Sequence, residues 1–336
     1  MNNFILRIIA IAIAGLSIVS CRHENKALLD NIQVDTLECI QKISLDSIAL
    51  TYPSMKVQHG ICCIADNGGE YYFHLYTFPD FKYIRSFGRK GKAKNELINL
   101  LDFDFRDDYV YALGGADKKI LEFNIQEDLD NPRTIYYDND LQIAELCCLD
   151  NGNFVVYNTL GKHRFTELSK DGKVLGEYVN IPNKEMPTKE QTLWIGDIEA
   201  SPNGKCVVSP TMYGEVVDIF NIEAKDNTRF KGRLGEPKYW EEKKKGFTLA
   251  NPLYYGFTSM CLSENHCYLF FEGTKYNDEA NKGEMCMRKY DYQGTPLARY
   301  SFRDIIPSYI YVDEDNSHIY CIVPDDDNKI YQYKMK

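Results

Sequence analysis

Three acidic residues, Asp102, Glu145 and Asp197, each stand at the opening of a β-rich run. Carboxylates placed there around a common axis could hold a metal ion and polarise a scissile bond. Acidic residues at strand starts are commonly solvated loop groups, however, and no catalytic constellation accompanies these three. The chain has no GxSxG, HExxH, P-loop or dinucleotide fingerprint. Its six histidines are scattered, and only His59 and His163 fall where an inward role can be placed. No catalytic residue, metal-ligand set or cofactor is therefore assigned, and a metal-dependent hydrolase or lyase is the second reading of function.

Recognition chemistry is better represented. Residues 182–196 (PNKEMPTKEQTLWIG) and 234–258 (LGEPKYWEEKKKGFTLANPLYYGFT) form two long connections holding both tryptophans, Trp194 and Trp240, with Tyr239, Tyr254 and Tyr255 nearby. Aromatic rings on loops offer large rigid contact area at small entropic cost, which suits a protein partner or the flat face of a sugar. The competing reading folds these rings under their own loops as small satellite cores. The basic turn 89–94, with Arg89 and Lys90, adds a site for an anionic group. The ligand candidates are thus Trp194, Tyr239, Trp240, Tyr254, Tyr255, Arg89 and Lys90. A net charge of −10 excludes a nucleic-acid footprint, which needs a basic face.

The first twenty residues have the layout of an export signal: Arg7 in a short polar start, an apolar run from Ile8 to Val19, then the small Ser20 before Cys21. That run is shorter than the ~20 residues a membrane span requires. Ile18-Val19-Ser20-Cys21 resembles the bacterial lipobox, whose cysteine thiol accepts a diacylglycerol. Cys21 is accordingly the expected lipidation site, residues 1–20 the signal peptide and 21–33 a flexible tether. No Asp follows Cys21, so an outer-membrane anchor is expected, facing the periplasm or the exterior. Ten cysteines follow Cys21. Most lie inside strand-like runs without a CxxC pair, so they are expected as buried core thiols and not as zinc ligands.

The elements that must position these residues repeat. An apolar run, a tight polar turn and a second apolar run recur six times: ICCIADNGGEYYFHLY, LDFDFRDDYVYAL, ELCCLDNGNFVVYN, DIEASPNGKCVVSP, MCLSENHCYLFFEG and YIYVDEDNSHIYCIV. Their turns centre near Asn67, Asp108, Asn151, Asn203, Asn265 and Asp315, residue types that accept the positive φ of hairpin turns. A spacing of ~40–60 residues is that of a four-stranded propeller blade. After the sixth hairpin only residues 329–335 (KIYQYKM) remain, one strand short. Residues 36–45 (TLECIQKISL) form a β-rich run with no partner of their own. The expected fold is all-β: a six-bladed β-propeller over residues 34–336, its ring closed by an N-terminal strand completing the last blade.

The run FGRKGKAKNELINLLDFDF, followed by YVYALGGADKKILEFNI and the late KYDYQGTPLARYSF, resembles the TolB-like six-bladed propeller lipoproteins of unassigned function. The resemblance covers the mature chain, although the Gly-Pro-Gly of typical relatives is absent near residues 92–94. It implies a fold and a cell-envelope location and no reaction. The leading expectation is a monomeric envelope lipoprotein acting as a binding or scaffold module through its loop face. The membrane is reached through the lipid anchor, and the partner is a protein or a carbohydrate.

Overall fold

The computed structural model describes residues 29–45, 50–51, 53–182, 191–237, 239–242, 246–249, 253–276, 283–303, 305–323, 326 and 328–336. Six antiparallel sheets form the blades of a propeller. Blade 1 comprises Ser54–Gln58, Ile61–Ala65, Tyr71–Thr77 and Tyr83–Arg89, in order from the channel outward. Blade 2 runs through Leu100–Arg106, Tyr109–Gly114, Lys119–Asn124 and Arg133–Tyr136. Blade 3 is Ile143–Cys148, Phe154–Asn158, His163–Leu168 and Val174–Asn180, and blade 4 is Glu199–Ala200, Cys206–Pro210, Val216–Asn221 and Asn227–Lys231. Blade 5 contains Phe257–Leu262, His266–Phe271, Cys286–Asp291 and Pro296–Ser301. Blade 6 begins with Tyr309–Asp313, His318–Ile322 and Lys329–Lys334. A two-stranded ribbon, Tyr239–Glu242 with Gly246–Leu249, lies between blades 4 and 5 in the chain.

The innermost strands of successive blades touch in a closed ring, blade 6 returning to blade 1. Each sheet is therefore covered on both faces by its neighbours, and its middle strands read as continuous apolar runs. Phe154–Asn158 is buried at every position. Separate cores fill the gaps between blades: Phe73, Phe103 and Phe123 between blades 1 and 2, and Ile64, Tyr76 and Tyr320 between blades 6 and 1. All ten described cysteines are free. Cys62, Cys63, Cys147, Cys148, Cys261, Cys267, Cys286 and Cys321 are buried, as the strand-like sequence around most of them implies.

The ring closes as the strand count requires. Glu38–Ser44 pairs antiparallel with Lys329–Lys334, from Glu38 opposite Lys334 to Ser44 opposite Lys329, and supplies the outermost strand of blade 6. The segment just before it, Val34–Thr36, adds a fifth, parallel strand to blade 5 beside Pro296–Ser301. One N-terminal run thus straps the last two blades together.

The phase of the first repeat differs from the sequence reading. ICCIADNGGEYYFHLY is the middle hairpin of blade 1 and not its opening one. The innermost strand is Ser54–Gln58, joined to Ile61–Ala65 through His59 and Gly60 at φ 48° and 74°. Two successive positive φ values match the primed turns that suit strand twist. Here a histidine takes a place where Asn or Asp would have signalled the turn.

Candidate functional site

The innermost strands present one hydrogen-bonding edge to the central channel, and an unpaired edge must find partners. Side chains of the preceding blade provide them. Asp102 accepts the Leu146 amide and Asp104 the Cys148 amide, both at 2.8 Å. Ser259 Oγ accepts from Ile310 at 3.2 Å, and Cys261 Sγ from Val312 at 3.3 Å. The acidic residues at the opening of blade 2 are therefore, first, inter-blade fasteners.

Deeper in the channel, Lys56 of blade 1 reaches across to Glu199 of blade 4, the opposite blade, and pairs with it. Toward the loop face the carboxyls lack such a cation of their own. Burial pushes the Asp102 carboxyl up to about 6 and that of Asp197 to about 7, against the pull of Lys56. Burial likewise raises Glu145 well above the usual carboxylate range, reinforced by the charges of Asp102 and Asp197 and a hydrogen bond shared with Asp102. Glu145 and Asp102 form a carboxyl–carboxylate pair, in which two like charges cannot both develop at contact. Tyr309 of blade 6 faces the same three acids, and burial and their charge keep its phenol protonated.

Above this floor lies a cavity of about 450 Å³, walled by Leu101, Tyr137, Leu141, Ile143 and Ile195, with Glu145 at its base. Its mouth is open to solvent, with Asn99, Lys118, Gln142 and Thr159 beside the aliphatic side chains. Leu101 is 47% exposed, and Ile98 (48%) and Leu160 (51%) adjoin the lining residues Asn99 and Thr159 in the chain. Apolar walls with a few convergent polar groups of shifted pKa are the usual form of a small-ligand site. A second cavity, of about 610 Å³, opens at the opposite mouth between the hairpin turns, with Gln58, His59, Arg106, Glu264 and Asp315 on its wall.

The structure disperses the residues expected to bind. Trp194 is 3% exposed and packs with Tyr157, Ile181 and Val216, so its ring is core and not a presented face. Arg164 donates to the Trp194 carbonyl and the Arg229 guanidinium covers the ring at 4.9 Å, which draws the loop inward. Its neighbour Ile195 is what reaches the cavity. Tyr254 and Tyr255 are half-buried, and Tyr255 stacks on Tyr213 at 5.7 Å and meets Tyr276 at 5.6 Å. The side chains of Tyr239 and Trp240, and Cys21 itself, lie outside the described residues. Arg89 ends the outermost strand of blade 1, paired with Glu70 at 2.7 Å. Lys90 follows with its ammonium over the Tyr72 ring at 4.7 Å, its pKa lowered by burial. Among the described residues no three His, Cys, Asp or Glu converge to hold a metal ion.

Fold and channel together define a six-bladed propeller with a ligand-sized mouth on its loop face. The chain belongs to the TolB-like six-bladed propeller family, whose model matches residues 35–315. Two similar solved structures come from Bacteroides. One, a protein of Bacteroides fragilis inferred to be exported, is 13% identical with a TM-score of 0.57, covering 89% of this chain and 95% of that one. The other, a member of the DUF4221 family from Bacteroides vulgatus, is 10% identical at TM-score 0.58, with 89% and 97% covered. The WD40 domain of Pan2 from Neurospora crassa also matches, at 10% identity and TM-score 0.52 over 88% and 94% of the two chains. At these identities the likeness is one of fold. No curated protein matches the chain in sequence.

Proposed function

We propose that this protein is an exported binding module, tethered to the outer membrane through a lipid on Cys21, that holds a ligand or partner group in the loop-face mouth of its channel. The observation that carries the reading is the cavity walled by Leu101, Leu141, Ile143 and Ile195, with Leu101 exposed at its mouth and the exposed Ile98 and Leu160 next in the chain to its lining residues Asn99 and Thr159, since apolar side chains at a concave mouth mark an interaction site. An aliphatic wall suits an apolar group better than a sugar, which favours aromatic platforms. The half-buried stack of Tyr213, Tyr255 and Tyr276 is the one described feature that favours a glycan.

The neutral dye N-phenyl-1-naphthylamine tests the mouth. Its fluorescence is expected to rise with the wild type and to fall toward the free-dye level with Leu101→Asp, because a hydrated carboxylate at the mouth replaces apolar contact with the dye. Equal enhancement by both proteins would refute the site. For the tether, Cys21→Ser should move the protein from the membrane to the soluble fraction.

A further inference from the structure

The ligand's chemistry can be narrowed, on the reading that the loop-face chamber is the binding site. We propose that it takes an organic cation, an ammonium group carried on an apolar body. Wall and floor ask for different things of one occupant. Leu101, Leu141, Ile143 and Ile195 offer only dispersion contacts and exclusion of water. Glu145 of blade 3 lines the chamber with them, and Asp102 of blade 2, which follows the lining residue Leu101, and Asp197, two residues after the lining Ile195, act on its carboxyl.

Lys56 is the one cation acting on all three upper carboxyls, and it is already joined to Glu199. Arg106, further down, is held by Asp150 at 2.8 Å. Lys118, on the chamber wall, has its ammonium engaged by the Asn139 and Leu141 carbonyls, and Tyr309, which also faces the set, brings no positive charge. Asp102 accepts from the Leu146 and Phe103 amides and shares a hydrogen bond with Glu145, whereas Asp197 takes no hydrogen bond from any described residue. The floor thus has acceptors to spare and a deficit of positive charge. A bare metal ion would leave the aliphatic walls unused, and the three carboxyls do not converge on a point. An ammonium group fills the charge deficit while its alkyl body covers the walls.

The cation enters where carboxyls are partly protonated, so binding expels a proton. With Asp102 at about 6 and Asp197 at about 7, affinity rises with pH across that range and levels off above it.

Titration calorimetry on the purified protein with hexylammonium, hexanol and hexanoate tests this. At about pH 8 hexylammonium is expected to bind at least about tenfold more tightly than hexanol, with hexanoate weakest. In buffers of different ionisation enthalpy the wild type should release protons on binding, a readout that needs no variant. Asp197→Asn, which is isosteric, should weaken hexylammonium by about tenfold and leave hexanol unchanged, whereas Glu145→Gln, a mimic of the protonated Glu145 carboxyl, should change neither by more than about threefold. Equal binding of hexanol and hexylammonium without proton release would overturn the cation while leaving the chamber standing. Failure of all three ligands to bind would overturn the chamber with it.

Discussion

Arg164 shows how a single buried charge decides what a loop presents. It is wholly buried and donates to Asp218 at 3.1 Å, to the Ser209 hydroxyl at 2.7 Å, to the Ser209 carbonyl at 3.0 Å and to the Trp194 carbonyl. Replacing it with Met strands two carbonyls and removes one of the two cations on Asp218. Asp218 keeps Arg229 at 2.7 Å, so the cost falls on the buried acceptors left without a donor, and Arg164→Met should lower unfolding free energy by about 3 kcal/mol in urea titration. Acrylamide should then quench Trp194 more strongly in the folded protein. Unchanged quenching would mean the loop is held by something else. The sequence pattern showed a long aromatic connection but not that its tryptophan turns inward, because the residue that draws it in lies on another strand. Pairings of that range leave no trace in local periodicity. The exposed Leu101 was legible as a residue but not as part of a cavity mouth, since apolar positions beside strands are ordinarily read as core.

At the scale of elements, turn chemistry made most of the fold readable. Asn-Gly and Asp-Asn signals sit where the chain turns at Gly152 (φ 78°) and Gly204 (φ 66°), and five of the six hairpins read from sequence open their blades. The sixth was displaced by one strand because His59 carries a φ of 48° that its type does not advertise. Asn tolerates that region better, so His59→Asn should raise stability by about 0.5 kcal/mol in thermal unfolding. The missing strand at one end and the surplus at the other identified the closure because hydrogen-bond supply must balance across an edge. Deleting residues 22–45 would expose the Lys329–Lys334 edge and remove Leu37 and Leu45 from two inter-blade cores. Such an edge is a template for pairing between chains. The truncated protein should therefore lose its cooperative melting transition and sediment as aggregates. A monodisperse species with an unchanged transition would show that the strap is dispensable.

For the whole molecule, two sets of carboxyls set opposite slopes of stability with pH. Burial opposes ionisation of Asp66, yet hydrogen bonds from His74 and the Thr51, Gly68 and Gly69 amides hold it at about 2. Glu314 is likewise at about 2, where Ser263, Tyr268 and Lys289 outweigh its burial. Both groups release protons more readily folded than unfolded. Their contribution is complete above the unfolded carboxylate range near pH 4 and is lost as pH falls toward 2. The channel acids behave in reverse. Asp197 at about 7 and Asp102 at about 6 keep protons in the folded state that the unfolded chain has released, so stability falls as pH rises from about 4 through 7. The contributions of these four groups are jointly most favourable near pH 4–5. Asp197→Asn removes one source of the descending limb. Urea titrations should find it more stable than wild type by about 1–2 kcal/mol at about pH 8 and equal at about pH 4.5. A difference of the same size at both pH values would place its origin in packing instead. A saturating ammonium ligand should flatten the descending limb of the wild type too, because it supplies positive charge to carboxyls that otherwise hold protons.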